Sequence, residues 1–170
     1  MSPCVYLSLG SNLGDRAAHL RAALHELESH IAVRRTSSLY RTDPVGVTNQ
    51  PEFLNLAIAG ETALDPVELL RAVKRVERDI GRRPTFRWGP RVVDIDILLY
   101  DGFVLETSEL TIPHREMMRR AFVLIPLAEI APELVHPLDH RTMTKLAEAA
   151  PGVEGVHRVE PSTGISSSAN

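Results

Sequence analysis

Asp94 and Asp96 stand two positions apart inside an apolar run, VVDIDILLY, that extends from Val92 to Tyr100. Asp is poorly suited to a strand interior, and an ionised carboxylate in apolar surroundings costs on the order of several kcal/mol unless a cation meets it. In a strand, residues two apart project to the same face. The two carboxylates would therefore point together, about 7 Å apart at Cα, while Val93, Ile95, Ile97 and Leu99 project the other way into a core. That spacing suits one or two hard divalent cations; Mg²⁺ takes one or two protein carboxylates and completes its shell with phosphate oxygens and water. The plainer alternative is a half-exposed strand whose acids are solvated or paired with arginine.

Arginines are at hand. Arg82, Arg83, Arg87 and Arg91 fall within ten residues, just ahead of the acids. They exceed what two carboxylates require, and a polyphosphate resolves the imbalance: guanidinium groups grip its oxygens bidentately and a metal on the carboxylates grips the rest. Gly81, Pro84, Gly89 and Pro90 punctuate the same stretch, as in a lid that closes over a reacting phosphate; a solvated basic loop is the alternative. Trp88, the single tryptophan, lies in this loop, where a binding role competes with simple anchoring.

Further along the chain, Phe53 and Asn55 share the face opposite Leu54 and Leu56. A ring to stack and an amide to hydrogen-bond an edge make a reader of flat heterocycles, although an edge-strand Phe and a satisfied Asn would look the same. His114 precedes Arg115 and could donate to phosphate, or simply pack. The turn GSNLGD at Gly10–Asp15 follows a strand and opens a helix, but it lacks the Lys-Ser/Thr of a Walker loop, and GxGxxG is absent. Asp15 also puts negative charge where a phosphate would sit, so the turn is read as structural. No HExxH, CxxC or GxSxG occurs, which leaves zinc and acyl-transfer chemistry without support.

These groups must be positioned by elements that the pattern reveals. Val5–Leu9 reads as a strand, and Asp15 caps a helix whose apolar face is Ala17, Leu20, Leu24 and Leu27. Residues 31–40 form a second strand, 41–51 a loop, and 53–59 an alternating strand. Asp65 caps the clearest helix, with Pro66 at its first position, a stripe of Leu69, Leu70, Val73, Val76 and Ile80, and a stop at Gly81. Residues 103–105 and 110–112 suggest a small hairpin, 121–130 a buried helix that Pro126 could kink or delay, and 142–149 a short helix. Strand-helix-strand-strand-helix-strand is the split βαβ order of an α+β, ferredoxin-like βαββαβ core, with an antiparallel sheet, helices packed on one face, and further C-terminal helices. A single catalytic domain is expected over 1–160, followed by a flexible tail at 161–170.

Composition narrows the function classes. A chain of 170 residues with 44% hydrophobic residues has the makings of one sizeable core. Its net charge of -3 argues against wholesale nucleic-acid or acidic-membrane binding. Cys4 is the only cysteine, which rules out an intrachain disulfide. The opening MSPCVYLSLG has neither a basic leader nor a long apolar run. A cytoplasmic, reducing setting is expected, with a monomer as the default state.

The quoted segments GSNLGD, YRTDPVGVTNQPEFLN, IGRRPTFRWGPRVVDIDILLY and LTIPHREMMRRAFVLIPLAEIAPEL together resemble the 6-hydroxymethyl-7,8-dihydropterin pyrophosphokinases of folate biosynthesis, in colinear order from about Val5 to about Pro137. The resemblance implies transfer of the β,γ-diphosphate of ATP to the hydroxymethyl group of the dihydropterin, leaving AMP. It places two Mg²⁺ ions on Asp94 and Asp96, and makes Arg82 and Arg91 the loop arginines that stabilise charge during transfer. Lys74, Glu77, Trp88, Ile97, Thr111, His114 and Arg120 join them as ATP-binding residues. Phe53 and Phe122 match the pair that sandwiches the pterin; Asn55 reads its edge, with backbone groups at Thr42, Val45 and Gly46, and Trp88 nearby. Pro84 stands where many relatives carry a further arginine, for which Arg83 could substitute.

Two other classes compete. A ferredoxin-like sheet could bind a nucleotide or RNA without catalysis, but no RNP pattern or basic balance supports that. A metal-dependent phosphohydrolase would hand phosphate to water, whereas Phe53 and Asn55 favour an organic acceptor.

Overall fold

A computed structural model describes residues 2–43, 51–81 and 92–159. The expected order is present: β1 (Cys4–Ser11), α1 (Arg16–Leu27), β2 (Ala32–Thr36), β3 (Tyr40–Thr42), β4 (Phe53–Glu61), α2 (Pro66–Asp79) and β5 (Asp94–Tyr100). All strand pairs in the main sheet are antiparallel, with β5 outermost beside β1, β1 beside β4, and β2 and β3 in tandem along the other side of β4. This is the ferredoxin-like βαββαβ core.

Local chemistry explains the boundaries. Asp15 Oδ1 accepts from the Ala18 amide at 3.1 Å to start α1. Asp65 and Glu68 form a reciprocal capping box at α2, behind Pro66. Gly81, at φ +103, follows its last turn, a conformation that L side chains resist.

The strand expected over 31–40 is broken in two at Ser37. Its amide donates to the Ala57 carbonyl at 2.9 Å and its hydroxyl accepts from the Ala57 amide at 2.9 Å. The serine side chain thus stands in for a ladder partner where β2 stops and β3 has yet to begin.

One face of the sheet is covered by α1 and α2. Leu7, Leu9, Leu56, Ile58, Ile95 and Ile97 pack there against Leu20, Leu27, Leu69 and Val73. The opposite face is covered at one end by α3 (Ala121–Ile130) and α4 (Met143–Ala149), over Ala57, Ala59, Leu98 and Leu99. α3 continues through Pro126, which has no N–H to give the Phe122 carbonyl one turn earlier. The small hairpin forms as β6 (Leu105–Glu106) and β7 (Thr111–Ile112).

Two features depart from the expected pattern. The register of β5 slips: Leu7 faces Ile97 and Tyr6 faces Leu99, leaving Leu98 as an extra residue. Leu99 therefore packs with the α3 face, not with Val93, Ile95 and Ile97 as simple alternation predicts. In addition, β8 (Val156–Arg158) pairs with β3 and extends the sheet. Among the described residues, no helix is long and apolar enough to cross a membrane.

Candidate active site

The end of the sheet that α3 and α4 leave uncovered forms the floor of a cleft of about 760 Å³, within the range of pockets that enclose small ligands (~300–1,000 Å³). Its floor follows from strand register. Ser8 lies between Ala57 and Asp96, and Gly10 lies between Asn55 and Asp94. Small residues on the central strand leave room above it, so acids on one neighbour and an amide on the other look onto common space.

The acidic end gathers Asp94 and Asp96, half-buried on β5, with Lys74 from α2 and His114, Arg119 and Arg120 from the segment leading into α3. His114 Nε2 lies 3.8 Å from Asp96 Oδ1, and an Arg120 guanidinium nitrogen 4.0 Å from Asp96 Oδ2. His114 Nδ1 accepts from the Glu116 amide at 3.1 Å, so the neutral ring carries its proton on Nε2, facing the cleft. Burial, seconded by the Arg120 charge, holds its pKa below the ordinary imidazole value. It is a donor that adds no charge.

At the opposite end stand Phe53, Asn55, Thr42 and Phe122. Asn55 and Thr42 are both buried, and Asn55 Nδ2 donates to Thr42 Oγ1 at 2.6 Å. That bond fixes the amide so that its oxygen sits beside Gly10. Phe122 opens α3, and the Arg120 guanidinium lies 5.7 Å from its ring centroid. Tyr40 ties β3 to α3 by donating to Glu129 Oε1 at 3.0 Å; burial and the Glu129 charge push the phenol up to about 12.

The cleft thus brings together Thr42, Phe53, Asn55, Lys74, Asp94, Asp96, His114, Arg120 and Phe122. Glu77 and Ile97 are buried, and Thr111 is half-buried in β7; none of the three is on the cleft surface. Val45, Gly46, Arg82, Trp88 and Arg91, with the neighbouring Arg83, Pro84 and Arg87, lie outside the described residues. Sequence reasoning missed Ser8, Gly10, Asp43, Glu116, Arg119 and the wall formed by 151–156. Gly10 and Ser8 had a signal, since they alternate with Leu7 and Leu9 on β1. The wall had none, because a Gly- and Pro-rich stretch gives no period to read.

The donor set fits a hard divalent cation. Asp94 and Asp96 both line the cleft from one strand, above the small residues Ser8 and Gly10. Such a set matches a magnesium ion that takes its remaining ligands from phosphate and water.

Comparison with known proteins identifies the family. The family profile of 7,8-dihydro-6-hydroxymethylpterin-pyrophosphokinase matches residues 6–132. A 2-amino-4-hydroxy-6-hydroxymethyldihydropteridine pyrophosphokinase of Methylorubrum extorquens is 46% identical over 158 residues, covering 91% of this chain and 98% of its own length. A folic acid synthesis protein of Dictyostelium discoideum is 41% identical over 92% of the chain, which spans only 24% of that longer protein. Among solved structures, a Plasmodium falciparum HPPK-DHPS triple mutant superposes with a TM-score of 0.73 at 17% identity, over 93% of this chain and 47% of that one, a likeness of fold. With the profile covering most of its length and relatives above 40% identity, the chain belongs to the 7,8-dihydro-6-hydroxymethylpterin-pyrophosphokinase family.

Proposed function

We propose that the cleft transfers the β,γ-diphosphate of ATP to the hydroxymethyl group of 6-hydroxymethyl-7,8-dihydropterin, the pyrophosphokinase step of folate biosynthesis. The observation that carries this reading is the polarity of one cleft: acids and cations at one end, an aromatic pair with a buried, pre-oriented amide at the other. Two ligands of opposite character can meet in it. A phosphohydrolase would have no use for the second end.

In the reaction, a bond forms between the hydroxymethyl oxygen and the β-phosphorus while the bridge from the β-phosphorus to the α-phosphate oxygen breaks. AMP leaves with that oxygen and the hydroxyl proton passes to water. Phe53 and Phe122 hold the pterin between their rings, and the Asn55 amide reads its edge, kept in one orientation by Thr42. Backbone groups at Thr42, Val45 and Gly46 complete that edge. His114 donates from Nε2 to a phosphate oxygen, while Arg120 and Lys74 meet its negative charge. By resemblance alone, Arg82 and Arg91 stabilise charge on the transferring group, and Trp88 contacts the substrates. Glu77, Ile97 and Thr111 shape the ATP side from behind the cleft surface. Asp94 and Asp96 would hold Mg²⁺, which when bound neutralises phosphate oxygens and acidifies the acceptor hydroxyl. The enzyme is proposed to act as a cytoplasmic monomer, independent of nucleic acid and membranes, with residues 1–160 as the catalytic unit.

The test is product analysis with ATP, Mg²⁺ and the hydroxymethyl dihydropterin. AMP should appear in step with the pterin diphosphate and only when the pterin is present. ADP as the nucleotide product, or AMP without pterin, would contradict the assignment.

A further inference from the structure

Glu77 is 1% exposed, on the buried side of α2 next to Val73 and Val76. Its Oε2 accepts from the Ile95 amide at 2.9 Å, and its Oε1 lies 3.3 Å from Lys74 Nζ. Ile95 is the residue between Asp94 and Asp96, and it is itself 2% exposed. Among the described residues β5 is the last strand of the sheet on its side, with β1 supplying ladder partners along one edge. The Ile95 amide is turned to the other edge, and Glu77 gives it an acceptor where a further strand would otherwise be needed. A carboxylate taken this far out of water is expensive unless paired and hydrogen-bonded, and one oxygen of this one accepts from the Ile95 peptide unit. Lys74, which shares it, reaches the cleft from the same helix.

We propose that Glu77 is a positioning residue: its carboxylate fixes the peptide between Asp94 and Asp96 and thereby sets the geometry of the cation site. The inference rests on the reading of those two acids as metal ligands given above. Supporting groups that orient a ligand commonly change metal affinity by about 10–100-fold when removed. The effect travels through an N–H donor, so any acceptor of the right length preserves it and charge is secondary.

The test compares Glu77→Gln, which keeps an acceptor oxygen, with Glu77→Met, which keeps the volume and loses it. Hydrogen exchange at the Ile95 amide is read by NMR in metal-free protein. Mg²⁺-dependent binding of a non-hydrolysable ATP analogue is read by calorimetry. The expectation is slow exchange in wild type and Glu77→Gln, exchange at least about 10-fold faster in Glu77→Met, and a Mg²⁺ requirement raised about 10-fold or more in Glu77→Met alone. Unchanged exchange in Glu77→Met overturns the inference, as does faster exchange with an unchanged Mg²⁺ requirement. Should Glu77→Met not fold, Glu77→Gln decides: wild-type exchange and Mg²⁺ dependence support the role, and loss of either overturns it. Neither measurement involves the pterin, so failure of the proposed reaction and failure of this inference are separately visible.

Discussion

A side chain begun on Gly10 would place its Cβ 2.6 Å from Asn55 Oδ1, closer than side chains tolerate. The two residues face each other across β1 and β4. Gly10→Ala should therefore turn the Asn55 amide and break its bond to Thr42. The expected result is a pterin KM raised about 10-fold, with the ATP KM within about twofold, and a loss of about 1–3 kcal/mol in urea unfolding from a disturbed buried hydrogen bond. Equal changes in both KM values would place Asn55 outside the acceptor site.

Asp94→Asn and Asp96→Asn keep the size of the side chain and remove its charge. Each should lower kcat by at least about 10²–10³-fold, the scale on which charge-stabilising groups are felt. Melting temperature should change little, because both side chains are only half-buried. Near-normal turnover in either variant would remove that residue from the metal site.

His114 acts as a neutral donor only while its Nδ1 accepts from the Glu116 amide. Burial and Arg120 hold its pKa below the ordinary value, so the acid limb it imposes on kcat/KM for ATP should lie below about pH 6.5. His114→Ala should lose about 10–100-fold in kcat/KM for ATP and His114→Gln less, since a hydrogen-bond donor remains. A limb unmoved by His114→Gln would assign the titration to another group.

Stability, as well as activity, should fall on the acid side. His136 is 2% exposed, and its Nδ1 accepts from the amides of Leu138 and Asp139 at 3.2 and 3.0 Å. Burial pushes its pKa down. Between that lowered value and about 6.5 the unfolded chain binds more protons than the folded one, so stability rises with pH through the window. It is complete above the unfolded value and lost as the pH falls through the window. His114 contributes with the same sign. Urea unfolding at pH 7, 6 and 5 should show a drop that is shallower in His136→Asn; an equal drop would clear His136 of the effect.

The parts of this molecule that could be read from its sequence are those where local chemistry and periodicity agree. Asp65, Pro66 and Gly81 bracket α2 because capping and φ preferences act within a few residues. The alternation in Phe53–Ala59 placed Phe53 and Asn55 together because a strand has only two faces. Where the reading stopped, the deciding contact was distant or the pattern mute. Ile97–Tyr100 is apolar throughout, so nothing in its composition reveals the extra residue at Leu98. β8 forms only because β3 offers an edge more than a hundred residues away. The cleft wall at 151–156 comes with it. Glu77, which the resemblance gives to the nucleotide side, also accepts from the Ile95 amide 18 residues away, a contact that no local pattern reveals.

The irregularity at Leu98 divides β5 into two territories with different duties. Toward the mouth, Asp94 and Asp96 line the cleft. Past the slip, consecutive leucines both turn beneath α3 and α4, and Tyr100 swings back to reach the Leu64 carbonyl at 2.8 Å. The side of the sheet that lines an open cleft at one end is dry at the other, with a single inserted residue as the border. Removing Leu98 would return β5 to plain alternation, with Leu99 still opposite Tyr6 and Tyr100 still opposite Val5, so the fold would lose one of the two leucines packed beneath α3 and α4 while both aspartates and the Tyr100 hydroxyl kept their places.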